Sequence, residues 1–149
     1  MPKKKRLVTY VTDVGGQPPT RHYQDDAGYD LTVSRTVTIP PGGFAQVPHA
    51  IKVALPEGTW GLVLGRSSTF YRRCLIVNPG VIDVGWRGEL LASVYNPSQT
   101  RHAQVKKGDR IAQLIVISVV PSDVAGAAQL EPGSRGERGF GSTGGWEAG

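Results

Sequence analysis

"TVTIPPGGFAQVPHAIKVALPEGTWGLVLG", residues 36–65, decides the fold class. Its apolar residues alternate with others, as in Val37-Thr38-Ile39, and show no recurrence at i, i+3 and i+4. Pro41-Gly42-Gly43 supplies a bend, because proline presets one backbone angle and glycine tolerates the rest. "TVTIPPGGFAQVP" therefore reads as strand, turn, strand. "HAIKVALPEG" adds another strand and turn, and "TWGLVLG" alternates into Gly65.

The same grammar extends both ways. "LVTYVT" (7–12), "CLIVNPG" (74–80), "GELLASVYNPS" (88–98), "TRHAQVKKGD" (100–109) and "RIAQLIVISVVPS" (110–122) are short apolar segments bounded by turn residues. Turn signals recurring every eight to twelve residues or so indicate an all-β sandwich or barrel of short strands. Residues 67–73 admit a short helix without demanding one. From Glu131 the pattern stops, and seven of the last seventeen residues are glycine. We read 1–6 as a basic arm, 7–130 as one folded body and 131–149 as a mobile glycine-rich tail.

Length and composition limit the function classes. A chain of 149 residues is one domain's worth, large enough for a real core. A single cysteine, Cys74, precludes an intrachain disulfide and suits an intracellular, most simply cytoplasmic, setting. No apolar run approaches the roughly 18 residues of a membrane span, so no membrane partner is expected. Lys3, Lys4, Lys5 and Arg6 supply four of the five net positive charges. The body is then nearly neutral, and stable nucleic-acid binding is not expected of it. The "PKKKR" run itself reads as a solvated terminus, a weak phosphate-polymer contact or a nuclear-import signal.

Five polar clusters carry candidate chemistry, each with a plain reading beside it. In "AGYDL" (27–31), Asp30 is a turn carboxylate, or one that holds an arginine or a hydrated cation. In "GRSST" (65–69), Arg66, Ser67 and Ser68 are a surface turn or a compact anion site. In "NPGVIDVGWRGEL" (78–90), Asp83 is a turn residue with Trp86 as core filler. Alternatively it is a carboxylate in a half-desolvated hairpin bend, placed to take a proton from water. Gln113, in "KKGDRIAQLI" (106–115), is an ordinary strand position or an amide that aligns a ligand. The tail "RGERGFGSTGG" is a spacer, or a segment closing over a phosphorylated ligand. The three histidines lack metal-ligand spacing, and neither a Walker loop nor a GxSxG elbow occurs.

Taken together, "AGYDL", "GRSS", "GVIDVGWRGE", "GDRIAQLI" and "RGERGFGSTG" resemble the five ordered motifs of the homotrimeric dUTP diphosphatase (dUTPase) family, from about Ala27 to Gly144. The resemblance implies a jelly-roll-like fold assembled as a trimer, with active sites shared between subunits. It implies a hydrolase of nucleotide metabolism that converts dUTP to dUMP and pyrophosphate with Mg2+. By position, Asp83 resembles the carboxylate that activates water, and Gln113 the amide near the α-phosphate. Arg66, Ser67 and Ser68 resemble phosphate binders, and Asn78, Gly80, Val81 and Ile82 the hairpin that reads uracil through its main chain. Trp86 stands where the family usually has a tyrosine under the sugar. In the tail, Arg135 resembles a γ-phosphate clamp and Phe140 a ring over uracil, with Gly141, Ser142 and Thr143 binding phosphate. Asp30 resembles the aspartate supporting Mg2+ indirectly, through water, the ion being held mainly by substrate phosphates.

Two alternatives stand beside this reading. A related dCTP deaminase shares "RSS" and "IDxGW"-like text, but relies on a glutamate where this chain has Ser93. A dUTP-responsive binding protein would use the same pocket to control a regulatory protein partner.

Overall fold

A computed structural model describes residues 7–138. The elements, in order, are β1 (Thr9–Thr12), β2 (Gly28–Thr32), β3 (Val37–Ile39), β4 (Phe44–Ala54), β5 (Thr59–Gly65), α1 (Ser67–Arg73), β6 (Ile76–Asn78), β7 (Gly80–Ile82), β8 (Glu89–Tyr95), β9 (Ala103–Val105) and β10 (Arg110–Ser118). One four-stranded sheet has the order β1-β4-β8-β6 and the other β2-β10-β5-β7; β3 and β9 form a two-stranded ribbon. Every pairing is antiparallel. This is the all-β, jelly-roll-like sandwich that the turn spacing and the motifs indicate. Val47, Ile51, Leu90 and Val94 from one sheet meet Leu31, Val63 and Leu114 from the other, all essentially inaccessible to solvent. Apolar burial of this kind contributes roughly 25 cal/mol per Å2 and sets the strand register, since a one-residue slip would expose every inward side chain.

Several elements differ from the sequence reading. The turn at Pro40–Gly43 forms, with Gly42 at φ 61° and Gly43 N–H bonded to Pro40 O at 3.1 Å. It is a corner rather than a hairpin, because β3 pairs with β9 and not β4. The next two expected strands fuse into the eleven-residue β4. A bulge between Pro48 and Lys52 bends β4 against β8, with Ala50 at φ 50° and its N–H bonded to Glu89 Oε1 at 2.8 Å. Gly28 to Leu31 of "AGYDL", not singled out as a strand, fall in β2. Cys74 is no strand residue: it ends α1 at φ 53° with its N–H on Phe70 O, and only Val77 of β6 is buried.

β10 ends at Ser118, and residues 119–138 are exposed. Among the described residues no helix is long and apolar enough to cross a membrane.

Candidate active site

One irregularity builds the arginine-bearing end of the site. Between Arg110 and Ala112 the β10–β2 register shifts, so that Arg110 pairs with Thr32 and Ala112 with Leu31. Side chains alternate along a strand, and residues three apart normally face opposite ways. The extra residue, Ile111, restores the phase, and both Ile111 and Ala112 turn inward and are buried. Arg110 and Gln113 consequently share the outer face with Asp30, the cross-strand partner of Gln113.

Asp30 joins the group. Its Oδ1 lies 2.9 Å from Arg66 Nε and its Oδ2 lies 3.4 Å from Arg110 Nη1. The Asp30 side chain is 16% exposed, so this charge has lost most of its water and gains from two guanidinium partners. Of the two functional readings of Asp30, the structure displays the arginine-holding one. Arg66 also donates from Nη1 to Arg110 O at 3.1 Å.

Helix α1 is fastened to the same bulge. The Ile111 carbonyl accepts Arg66 N–H at 3.1 Å and Thr69 Oγ1 at 2.7 Å. Arg66 is the N-cap, and no side chain caps the helix. Ser67 is exposed and Ser68 half-buried, both in this uncapped first turn. Gln113 Nε2 donates to Gly65 O at 3.3 Å, drawing its amide to the same spot. The glycine of "AGYDL" has a concrete role here: a Cβ on Gly28 would overlap Gln113 Oε1.

The second group of motif residues is elsewhere on the chain. β6 belongs to one sheet and β7 to the other, so Asn78-Pro79-Gly80 carries the chain across the sandwich. The hairpin expected over this segment is not what forms: β6 pairs with β8 and β7 with β5. β7 is the edge of its sheet, and its outer main-chain groups face away from β5. Val81 is 66% exposed there.

Asp83 follows in a tight turn closed by Trp86 N–H on Asp83 O at 2.9 Å. Arg87 braces the turn by donating to Val84 O and Trp86 O at 2.8 and 2.7 Å. Trp86 lies over Gly88, where a Cβ would collide with the ring, and remains half exposed. The half-desolvated bend expected around Asp83 is absent from the single chain: Asp83 is exposed, because the turn projects past the end of β7.

The two groups do not meet. Ile82 pairs with Gly61, and Arg66 is five positions further along the chain from Gly61, about 17 Å at strand spacing. Arg135 sits in an exposed turn, with Nε donating to Arg138 O at 3.0 Å. Phe140, Gly141, Ser142, Thr143 and the basic arm lie outside the described residues.

Arg110 and Thr69 were not singled out as site residues in the sequence, although both lie within quoted motifs. Their signal was faint: a polar residue beside a motif is ordinary, and a bulge leaves no compositional mark.

A fold of two antiparallel sheets carrying an arginine–amide–hydroxyl cluster, with an edge strand and carboxylate apart from it, defines a class of nucleotide-handling β-sandwich. A model of the dUTPase family matches residues 16–144, and the chain belongs to that family. It is 44% identical over 140 residues to the deoxyuridine 5'-triphosphate nucleotidohydrolase of Paramecium bursaria Chlorella virus 1, covering 94% of this chain and 95% of the relative. It is 43% identical over 126 residues to the rice enzyme (Oryza sativa subsp. japonica) of the same name, covering 85% and 73%. Among solved structures, the dUTPase of Staphylococcus bacteriophage 80alpha with dUPNHPP superposes with a TM-score of 0.87 at 26% identity, over 93% of this chain and 98% of that one. A mutant dUTPase from phage phi11 of S. aureus, described for its coordination of a structural Mg(II) ion, shares the fold at 22% identity and a TM-score of 0.77, over 83% of this chain and 97% of that one. The deaminase alternative is not favoured.

Proposed function

We propose that this chain hydrolyses dUTP to dUMP and pyrophosphate at sites assembled from more than one copy of itself. The observation that carries the reading is the convergence of Asp30, Arg66, Arg110 and Gln113, with Ser67 and Ser68 next to Arg66 in the first turn of α1. This is a donor-rich, cationic seat for phosphate oxygens. The assembly follows from the other half of the motif set. Within one chain the Asp83 turn leaves the end of β7 farther from that seat, about 17 Å away at strand spacing. A second copy brings its Asp83 turn to the first copy's cluster. Exposed Val120, Val124 and Leu130 agree with docking between copies, since nothing among the described residues covers them. A homotrimer, with the 131–149 tail of the remaining subunit closing each site over body 7–130, is the arrangement we infer.

The chemistry then balances. The Asp83 carboxylate accepts a proton from water. The water oxygen bonds to the α-phosphorus, and the bond from that phosphorus to the bridging oxygen breaks, releasing pyrophosphate. Gln113 orients the α-phosphate and the attacking water, and Arg66, Ser67 and Ser68 neutralise and position the outer phosphates. The open edge at Asn78, Gly80, Val81 and Ile82 pairs with the uracil edge, which leaves cytosine with reversed, unmatched groups. Trp86 forms a floor that excludes a ribose 2′-hydroxyl. Arg135 clamps the γ-phosphate, Phe140 covers the base, and Gly141, Ser142 and Thr143 line the phosphates.

The residues fit a phosphate-carried metal. Among the described residues no three His, Cys, Asp or Glu converge, and both Asp30 oxygens face arginines. Mg2+ would therefore take phosphate oxygens and water as its main ligands, with Asp30 acting through water. When bound it supplies neutralisation of triphosphate charge.

The test is pyrophosphate release from dUTP and dCTP with and without Mg2+. Release from dUTP that depends on Mg2+ is expected. Ammonia from dCTP would indicate deamination, and tight dUTP binding without turnover a switch protein. Light scattering should give three times the 15.9 kDa chain mass.

A further inference from the structure

Beyond α1 the chain forms a second cationic feature. An open cleft of about 730 Å3 is lined by Arg72 and Arg73 from the end of α1, Arg101 and His102 from the segment after β8, and Lys106 and Asp109 from the turn before β10. It shares no lining residue with the Asp30–Arg66–Gln113 cluster. Four cations face one carboxylate. That carboxylate is committed: Asp109 Oδ2 lies 2.6 Å from Arg73 Nη1 and accepts Lys106 N–H at 2.8 Å. Arg72, Arg101 and Lys106 therefore present uncompensated charge from three separate segments.

The cleft is shallow. Arg72, Arg101 and Lys106 are all exposed, whereas a pocket for a small ligand ordinarily buries most of it. A shallow cationic trough suits a polyanion that runs through it, where each neutralised phosphate releases counterions. Helix α1 also carries two unusually exposed aromatic rings, Phe70 at 65% and Tyr71 at 86%. Phe70 lies one helical turn from Arg73 and Cys74. Exposed rings beside guanidinium groups can stack unpaired bases, which a duplex hides and an acidic peptide lacks.

We propose that this cleft binds the phosphate backbone of a single-stranded nucleic acid, with Phe70 and Tyr71 as stacking faces for its bases. The near-neutral charge of the body concealed the feature, since it averages over surface acids far from the cleft. The proposal goes beyond nucleotide hydrolysis and does not depend on it.

The test is fluorescence anisotropy of a labelled 20-residue oligothymidylate with the full chain between 50 and 200 mM salt. Binding that weakens with salt is expected. The triple variant Arg72→Ser/Arg101→Ser/Lys106→Ser, which leaves Arg73–Asp109 intact, should bind at least tenfold more weakly. Its log–log salt slope should be shallower by about 2, at about 0.7 per lost cation. Its dUTP hydrolysis should stay at the wild-type rate, which also shows that it folds. Phe70→Ala should weaken binding severalfold without changing the slope. As a check on the unaltered chain, the oligonucleotide should protect Arg72 and Arg101 from phenylglyoxal. No binding at 50 mM salt, unchanged affinity in the triple variant, or binding without that protection would overturn the proposal. The last two results would assign binding to Lys3–Arg6. Equal affinity for a polyglutamate peptide would overturn it in favour of an acidic protein partner.

Discussion

The hydroxyl of Thr69 donates to the carbonyl of Ile111 across 2.7 Å, in a setting closed to solvent. The bond joins the first turn of α1 to the bulge of β10 and, with Arg66 N–H on the same carbonyl, holds the turn that carries the serines. Thr69→Val keeps the volume and removes the donor, while Ile111 O retains Arg66 N–H. The expected cost is about 1 kcal/mol of stability, read as a lower urea midpoint at constant slope. We also expect a raised KM for dUTP, since the turn carrying Ser67 and Ser68 loses one of its two bonds to Ile111 O. A variant with wild-type KM would show that β10 and α1 hold their places without the bond.

Gly28 and Gln113 make a tighter case. A methyl group at Gly28 falls on Gln113 Oε1, so Gly28→Ala displaces the amide from Gly65 O. A displacement of about 1 Å at a reacting group can cost on the order of 100-fold in rate. A fall in kcat with little change in KM is expected. In a double-mutant cycle, Gly28→Ala should add almost nothing to Gln113→Ala. Additive losses would place the effect in β2 itself.

Asp83→Asn tests the base. It preserves size and removes the proton acceptor, and kcat should fall by about 10²–10⁴. The dissociation constant for a non-cleavable imido analogue of dUTP should stay within about threefold. Matching losses of turnover and binding would mean that Asp83 holds its turn rather than activating water.

His49 sets an acid limit on stability. Its ring is fully buried, with Nδ1 3.1 Å from Thr32 O and no partner for Nε2 among the described residues. Burial pushes its pKa below 6.5, outweighing the Thr32 carbonyl and the Glu89 charge, which act the other way. On acidification the unfolded chain takes up the proton first. The contribution of His49 is therefore complete above pH 6.5 and is lost as pH falls through the folded-state value. The slope reaches at most about 1.4 kcal/mol per pH unit. His49→Gln should flatten the stability–pH curve below pH 6.5, whatever its effect at neutral pH. An unchanged curve would place the acid sensitivity in other groups.

Much of this was legible in the chain. "TWGLVLG" reads as a strand and is β5, residue for residue, because alternation between core and solvent is written in adjacent positions. The bend at Pro41-Gly42-Gly43 was equally readable. What it joined was not, since pairing β3 with β9 depends on residues more than sixty positions away. The motif residues were identifiable by type and order, and Asp30, Arg66 and Gln113 do converge. The distance between that cluster and Asp83 was invisible until β7 was seen to run antiparallel along Gly61–Val63, carrying the chain away from Arg66.

The order of residues alone therefore determined a β-sandwich and the chemical groups available to it, because strand alternation and turn preference are local properties. Tertiary structure decided which groups face one another. The bulge at Ile111 turns Arg110 toward Asp30, and folding gathers Arg72, Arg101 and Lys106 from distant segments into one cleft. The reason lies in sheet geometry: partners are chosen across the chain by burial, and one inserted residue reverses the face of all that precede it.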